Sequence, residues 1–486
     1  MISEQALEQL SHDGPRVVSN ALPGPKSRAI IDRLDALEFS NGMSRGSPLA
    51  YAGGKGTIFE DADGNRFVDL WPGRTCTYVG ISHPHVVAAI QAQAAQLSVS
   101  GDVQGEVRAR LVETFSAMLP EKMREDARVI LTLSGSQANE IAVRIAMRAT
   151  GRRTIVAFSN CFHGIWGLAW EFTSLARLHG YDWGNRSQPV SFQPYPDCFS
   201  CPLGLKRESC GLACADLLER ALAGPNSGVD DVACVIVEAE QNNGHIPLPE
   251  GWLQRLREIC DRIGALLVVD EIANGFLLTG DVWAHERHGV RADIVTAGKG
   301  LGGAFPFAAI ALTGEVAERA KGIAAYNGQN ANPVVLTAAQ ATLDVVLDAG
   351  DDLLGRAKQL ATDVAERLAP LKRLPVVAEI RTAGMTAAIE LVRDKASGAP
   401  VADGRQPGTP LYRMLAEGTG DSLLLQGYPF SVGGPHNSTI RWMSPLTIPR
   451  RHLFAALDAL AEALERNQSA LASGRTDQSP NKASRL

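Results

Sequence analysis

Two stretches decide how this chain is read. They are Leu266-Leu267-Val268-Val269-Asp270-Glu271 and Ile294-Val295-Thr296-Ala297-Gly298-Lys299-Gly300-Leu301-Gly302-Gly303. Each begins as a short apolar run of the length expected for a buried strand. The first run delivers a carboxylate, Asp270, at its C-terminal end, and the second delivers a lysine, Lys299. Glycines on both sides of Lys299 let backbone approach whatever the lysine is bonded to. An isolated Asp and Lys would be read as surface residues near turns. The apolar runs before both, and the glycines around one, argue against that.

A carboxylate and a lysine at neighbouring strand ends suit pyridoxal phosphate. The lysine amine forms a Schiff base with the cofactor aldehyde, and the carboxylate keeps the pyridine nitrogen protonated so that the ring accepts electrons. A dinucleotide site does not fit, because Gly300-Leu301-Gly302-Gly303 lacks the G-x-G-x-x-G spacing before a helix.

Asp270-Glu271-Ile272-Ala273-Asn274-Gly275-Phe276 resembles the D-E-V-x-x-G-F segment of the class III aminotransferases, and Gly298–Pro306 resembles their S-K-G-L-G-G-G-F-P lysine segment. The resemblance covers roughly Pro23 to Leu464 and extends to the family's omega-aminotransferases and glutamate-1-semialdehyde aminomutases. It implies an α/β, fold-type I enzyme. A large domain would carry a mixed, mostly parallel sheet, and a small α+β domain would be built from both chain ends. Residues 1–75 would be an N-terminal arm with part of the small domain, and 76–333 the large domain. Residues 334–468 would be a linking helix and the rest of the small domain, and 469–486 a disordered tail.

The site residues follow from the same resemblance. Ser134-Gly135-Ser136-Gln137 turns into a helix whose apolar face is Ala138, Ile141, Ala142, Ile145, Ala146 and Ala149. Free N–H groups at such a start suit an anion. The turn resembles the family's S-G-[ST]-E phosphate turn, with Gln137 for the usual Glu. Cys161-Phe162-His163-Gly164 is similar to [YF]-H-G, which implies that Phe162 stacks on one ring face and Ile272 on the other, with His163 beside them. Glu238-Ala239-Glu240-Gln241 stands where the family has E-P-[VI]-Q, so Glu238 and Gln241 are cofactor-binding candidates, Gln241 toward the ring hydroxyl. Arg441, in Thr439–Ile448, keeps the arginine that in many members pairs with the substrate carboxylate; a structural ion pair is the equal alternative. Trp71 and Arg74 lie where the family places substrate contacts.

Three further positions depart from the pattern. Gly328 replaces the Thr that reaches the neighbouring subunit's cofactor phosphate, so backbone N–H groups, Asn327 or Asn330 must serve there. Leu278 replaces an arginine, and Ser444 a proline.

Composition is that of an ordinary soluble protein: 486 residues, 45% apolar, 21% charged, net charge −6. The acidic balance does not favour a nucleic-acid partner. No apolar run approaches the roughly 20 residues of a membrane span, and the start lacks signal-peptide features. A cytoplasmic homodimer with shared active sites is expected, acting on a small-molecule amino donor and a carbonyl acceptor. The expected reaction is transamination through Lys299, with aminomutase, racemase/epimerase or decarboxylase chemistry on the same cofactor as the alternative. Cys198, Cys201, Cys210 and Cys214 are spaced only loosely like zinc ligands, and the preferred reading is no metal.

In chain order, residues 1–20 read as a loose arm. Ile58–Leu70 reads as a hairpin around an Asp-Gly turn. About Tyr181–Leu217 reads as a cysteine-bearing loop. Helices are expected at Gly251–Ile263, Val334–Leu347, Leu353–Leu368 and Arg451–Glu465, and strands near Val376–Arg381 and Met385–Leu391.

Overall fold

The computed structural model describes residues 1–39, 48–71, 76–99, 104–175, 186–224, 226–325, 328–330 and 332–473. A three-stranded antiparallel sheet comes first: β1 (Tyr51–Lys55), β2 (Ile58–Asp61) and β3 (Arg66–Val68). The expected hairpin is β2–β3. Asp61 Oδ1 accepts the backbone N–H groups of Asp63 (3.0 Å) and Asn65 (2.9 Å), an Asx turn that sets the register.

The central sheet has seven strands. They are β4 (Arg128–Thr132), β5 (Thr154–Phe158), β6 (Val190–Gln193), β7 (Val232–Val237) and, beyond a short pair β8 (Glu240–Gln241) and β9 (Ile246–Pro247), β10 (Leu266–Asp270), β11 (Ile294–Ala297) and β12 (Ala308–Leu312). Their spatial order is β4-β12-β11-β10-β7-β5-β6. Pairs among β11, β10, β7, β5 and β6 are parallel; β12 runs antiparallel to both neighbours. This is the α/β, mixed and mostly parallel sheet that the sequence implies. β7, β10 and β11 are buried at every residue, as parallel strands covered on both faces must be, which is why they read as unbroken apolar runs.

A second antiparallel sheet holds β13 (Val377–Ala383), β14 (Thr386–Asp394), β15 (Ala399–Pro400), β16 (Ser431–Gly433) and β17 (Thr439–Met443), in the order β13-β14-β17-β16 with β15 on β14. The Leu353–Leu368 helix packs on it, its N-terminus capped by the Asp352 carboxylate accepting from Gly355 N–H.

Three expectations need correction. The first residues are not a loose arm. Glu4–Gln9 is helical, Leu7 is fully buried, and Glu4 bonds Arg356 Nη2 (3.1 Å) and Arg450 N–H (2.8 Å). Burying Leu7 contributes about 2 kcal/mol, and the Glu4 bonds add to it. The cysteine-bearing stretch is not all loop, because β6 and the start of the Ala213–Ala223 helix fall within it. The closing helix runs Arg450–Ser473, past the point where the polar tail was expected to begin, and Leu471 anchors its last turns in the core. No helix among the described residues is long and apolar enough to cross a membrane.

Candidate active site

β10 and β11 lie side by side in parallel, with Asp270 opposite Thr296, so their C-terminal ends place Asp270 and Lys299 on one edge of the sheet. The acidic pair divides there. Glu271 turns away and is spent on His285, accepting its backbone N–H (2.8 Å) and meeting its Nδ1 (2.7 Å). Asp270 stays at the edge. Its Oδ1 accepts Ile272 N–H at 3.0 Å. Its Oδ2 lies 2.8 Å from His163 Nδ1 and accepts Asn139 Nδ2–H at 2.7 Å.

Lys299 begins a short 3-10 turn with φ +50°. Burial lowers its ammonium pKa, with Arg441 adding to that, against the opposing pull of Cys76, Asp270 and Glu238. The following Gly300 could carry no side chain, since a Cβ there would lie 2.1 Å from the Tyr78 ring.

The Gly135–Thr150 helix starts between β4 and this edge, with the Ser134 hydroxyl accepting from Gln137 N–H. A Cβ on Gly135 would lie 2.8 Å from Ile272 Cδ1, so only glycine lets the helix start approach the Asp270 strand this closely. Ser136 Oγ accepts Ile165 N–H at 3.3 Å. Gln137 is spent locally: its Oε1 accepts Leu133 N–H at 3.0 Å.

Phe162 is half-buried, and its N–H points to Glu238 Oε2 at 3.4 Å. Glu238 is buried, and burial first, then Asp270, pushes its pKa up to about 7. His163 is buried beneath the edge. Burial opposes its charge, yet Cys161 and the Asp270 carboxylate raise its pKa well above the usual histidine range. Its buried ring meets Asp270 through Nδ1. Gln241 is tied down by Asn160 Nδ2 (2.6 Å) and Ser159 O (2.8 Å).

Arg441, on β17, reaches back to this edge. Its guanidinium carbon lies 4.4 Å over the Trp71 ring, and its Nη1 donates to Asn242 O. Arg74 and Asn327 lie outside the described residues. Gly328 is exposed, with open space where a Cβ would stand, and Asn330 is buried.

Two residues that the sequence reading passed over belong to this cluster: Asn139 and Thr296, both fully buried. A signal for the first was present, since Asn139 shares the apolar stripe of its helix with Ala142 and Ala146. A buried amide in such a stripe must find partners.

Cys198, Cys201, Cys210 and Cys214 line a separate cavity of about 280 Å³. Burial pushes the Cys198 and Cys214 thiols up. Among the described residues no three side chains of metal-ligating type stand close enough to share an ion.

The arrangement fits pyridoxal phosphate on its own geometry. A carboxylate is held at a strand end, a lysine amine of lowered proton affinity stands beside it, and a long helix begins at a glycine that admits close backbone approach.

Comparison with known proteins agrees. The family profile described as aminotransferase class-III matches residues 41–464. Diaminobutyrate–2-oxoglutarate aminotransferase of Rhizobium meliloti (strain 1021) is 30% identical, over 90% of this chain and 92% of its own. Leucine/methionine racemase of Thermococcus litoralis is 28% identical, over 90% of this chain and 96% of its own. The fold matches the solved taurine:2-oxoglutarate aminotransferase of Bifidobacterium kashiwanohense with a TM-score of 0.80 at 22% identity, covering 92% of this chain and 99% of that one. With the profile spanning every sheet of the fold and the whole Asp270–Lys299 edge, the chain belongs to the class-III aminotransferases and is a pyridoxal-phosphate-dependent aminotransferase.

Proposed function

We propose that the chain moves an amino group from a small amino acid or amine to a 2-oxo acid or related carbonyl acceptor, with Lys299 as its proton-transfer base. The observation that carries this is the environment of Lys299: burial favours its neutral amine, the form that can accept a proton, beside a fixed carboxylate. When bound, pyridoxal phosphate supplies an aldehyde for the amines and a ring that withdraws electrons from the bonds at the substrate carbon.

The protein's part is to hold and orient. Lys299 would hold the cofactor through its amine and, once that amine is free, would take and return the proton at the substrate carbon. Asp270 holds the proton on the ring nitrogen. Gly135 and Ser136 offer their N–H groups to the phosphate, Gln137 closes that turn through its bonds to Ser134 and Leu133, and the Gly328 segment of a neighbouring subunit helps. Phe162 and Ile272 bound the ring, His163 supports Asp270 from below, and Glu238 and Gln241 shape the hydroxyl edge. Arg441, stacked on Trp71, presents its fork to the substrate carboxylate, and Arg74 is a further candidate for substrate binding. A cytoplasmic homodimer completes the reading.

The racemase relative supports a second reading, in which the proton returns to the same carbon on the opposite face. Incubating the holoenzyme with single amino acids and a set of 2-oxo acids separates the two. Equimolar loss of donor amine and appearance of a new amino acid supports transfer. Inversion of the donor without any 2-oxo acid consumed would establish racemisation instead. Aminomutation or loss of carbon dioxide from the donor alone would identify the remaining alternatives.

A further inference from the structure

We infer that Asn139 is a positioning residue for the ring-binding carboxylate, holding Asp270 in place and keeping the Thr296 hydroxyl from competing for its Oδ1. The inference rests on the assignment of Asp270 to the cofactor ring.

Three of the four hydrogen-bonding directions of the Asn139 amide are used, including both of its donors. Its Nδ2 donates to Asp270 Oδ2 at 2.7 Å and to the His163 carbonyl at 2.7 Å. Its Oδ1 accepts the Thr296 hydroxyl at 2.7 Å. The orientation is fixed by these partners, because turning the amide over would set its oxygen against a carboxylate and a carbonyl at once. Asn139 and Thr296 are both fully buried, so no solvent can replace either bond.

The contacts also explain which oxygen of Asp270 is left for a ligand. Oδ2 is met by two groups, Asn139 Nδ2 and His163 Nδ1. Oδ1 accepts the Ile272 N–H at 3.0 Å, and the Thr296 hydroxyl lies 3.5 Å from it. A hydroxyl has one proton. While Asn139 Oδ1 takes it at the shorter distance, the second lone pair of Asp270 Oδ1 stays available. Remove the amide and the nearest remaining acceptor for that proton is Asp270 itself.

Asn139 also joins four elements that carry separate parts of the site. It stands one turn into the helix that begins at the phosphate turn, bonds the backbone of the Phe162–His163 loop, and meets both β10 and β11. A shift of any one is therefore felt at the carboxylate, and misplacement by about 1 Å costs on the order of 100-fold in rate.

The test uses Asn139→Ala, Thr296→Val and the double variant, each as full-length protein. Asn139→Ala should lower kcat about 100-fold while KM for the amino donor changes by no more than about threefold. The cofactor-free protein should bind added pyridoxal phosphate about tenfold more weakly, read by quenching of tryptophan fluorescence. Adding Thr296→Val to Asn139→Ala should restore at least about threefold of the lost kcat, because the competing proton is gone. A merely structural role would make the double variant worse than either single one, and that result overturns the proposal, as would a kcat for Asn139→Ala within about twofold of wild type. If Asn139→Ala does not fold, the similarly sized Asn139→Leu decides. It fills the space but removes both donated bonds and the acceptor for Thr296, so normal kcat and normal cofactor affinity would overturn the proposal. Cofactor affinity is read without turnover, so a wild-type protein that proves to be a racemase leaves this test intact.

Discussion

Replacing Glu238 with glutamine in the cofactor-free protein measures what burial of this carboxyl costs. Glu238 is 4% exposed, and its oxygens accept the N–H groups of Asn242 (3.2 Å) and Phe162 (3.4 Å). Burial, reinforced by Asp270 and partly offset by His163, carries its pKa from 4.5 to about 7. A pKa raised by folding means that the folded protein holds the proton more tightly than the unfolded chain. Below the unfolded value the group is protonated in both states and adds no penalty. Between 4.5 and about 7 the unfolded chain releases the proton while the folded protein keeps it, so stability falls as pH rises through that window. Above it the loss is complete. At about 1.4 kcal/mol per pH unit, the interval corresponds to roughly 3 kcal/mol. Glutamine does not titrate. Urea unfolding of wild type and Glu238→Gln at equal protein concentration, from pH 4.5 to 8, therefore isolates this one group, since the other titrations are common to both. The variant should gain on wild type by about 3 kcal/mol across the range. A difference that stays constant within about 0.5 kcal/mol would refute the reasoning, because it would mean that the carboxyl titrates alike in both states.

Lys299→Ala should bind pyridoxal phosphate without covalent attachment and show no measurable turnover; after borohydride reduction, a labelled peptide in this variant would place the attachment elsewhere. Gly300→Ala should destabilise the fold by about 3 kcal/mol, because the new methyl enters the Tyr78 ring, itself fixed by a 3.1 Å bond to Ala273 O. A melting temperature equal to wild type would show that the turn moves freely. Arg441→Lys should raise KM for carboxylate-bearing substrates about tenfold or more, since a lysine cannot offer the planar fork or stack on Trp71 in the same way. Unchanged KM would remove Arg441 from substrate recognition.

The sheet was legible because its strands are buried on both faces and so read as apolar runs, each followed by the residue it delivers. The Gly135–Thr150 helix was legible for a similar reason: a serine cap, a one-sided apolar face and a glycine stop at Gly151. What escaped were contacts set by long-range packing. Nothing local in Met1–Leu10 says that Leu7 finds a core pocket or that Glu4 finds Arg356, some 350 residues away. The polar composition of the chain from Ser469 onward hides that Ser469–Ser473 continue the helix, with Leu471 buried in the core. Propensity argues for loose segments in both places, and tertiary burial overrides it.

The same distinction explains the site. Asp270 and Lys299 stand out in the sequence because each ends a strand, so topology alone gathers them at one edge. Asn139 and Thr296 sit inside elements, surrounded by apolar neighbours, and a single polar residue there reads as tolerated rather than required. Their meaning depends on which element lies opposite, and β10, β11 and the Gly135–Thr150 helix become neighbours only once the β4-β12-β11-β10 order is set. The departures from the family pattern divide along the same line. Gln137 for Glu is accommodated by a local backbone bond to Leu133 N–H. Gly328 for Thr is exposed, with no described atom within 4 Å of where its Cβ would stand, while Asn330 two residues on is buried.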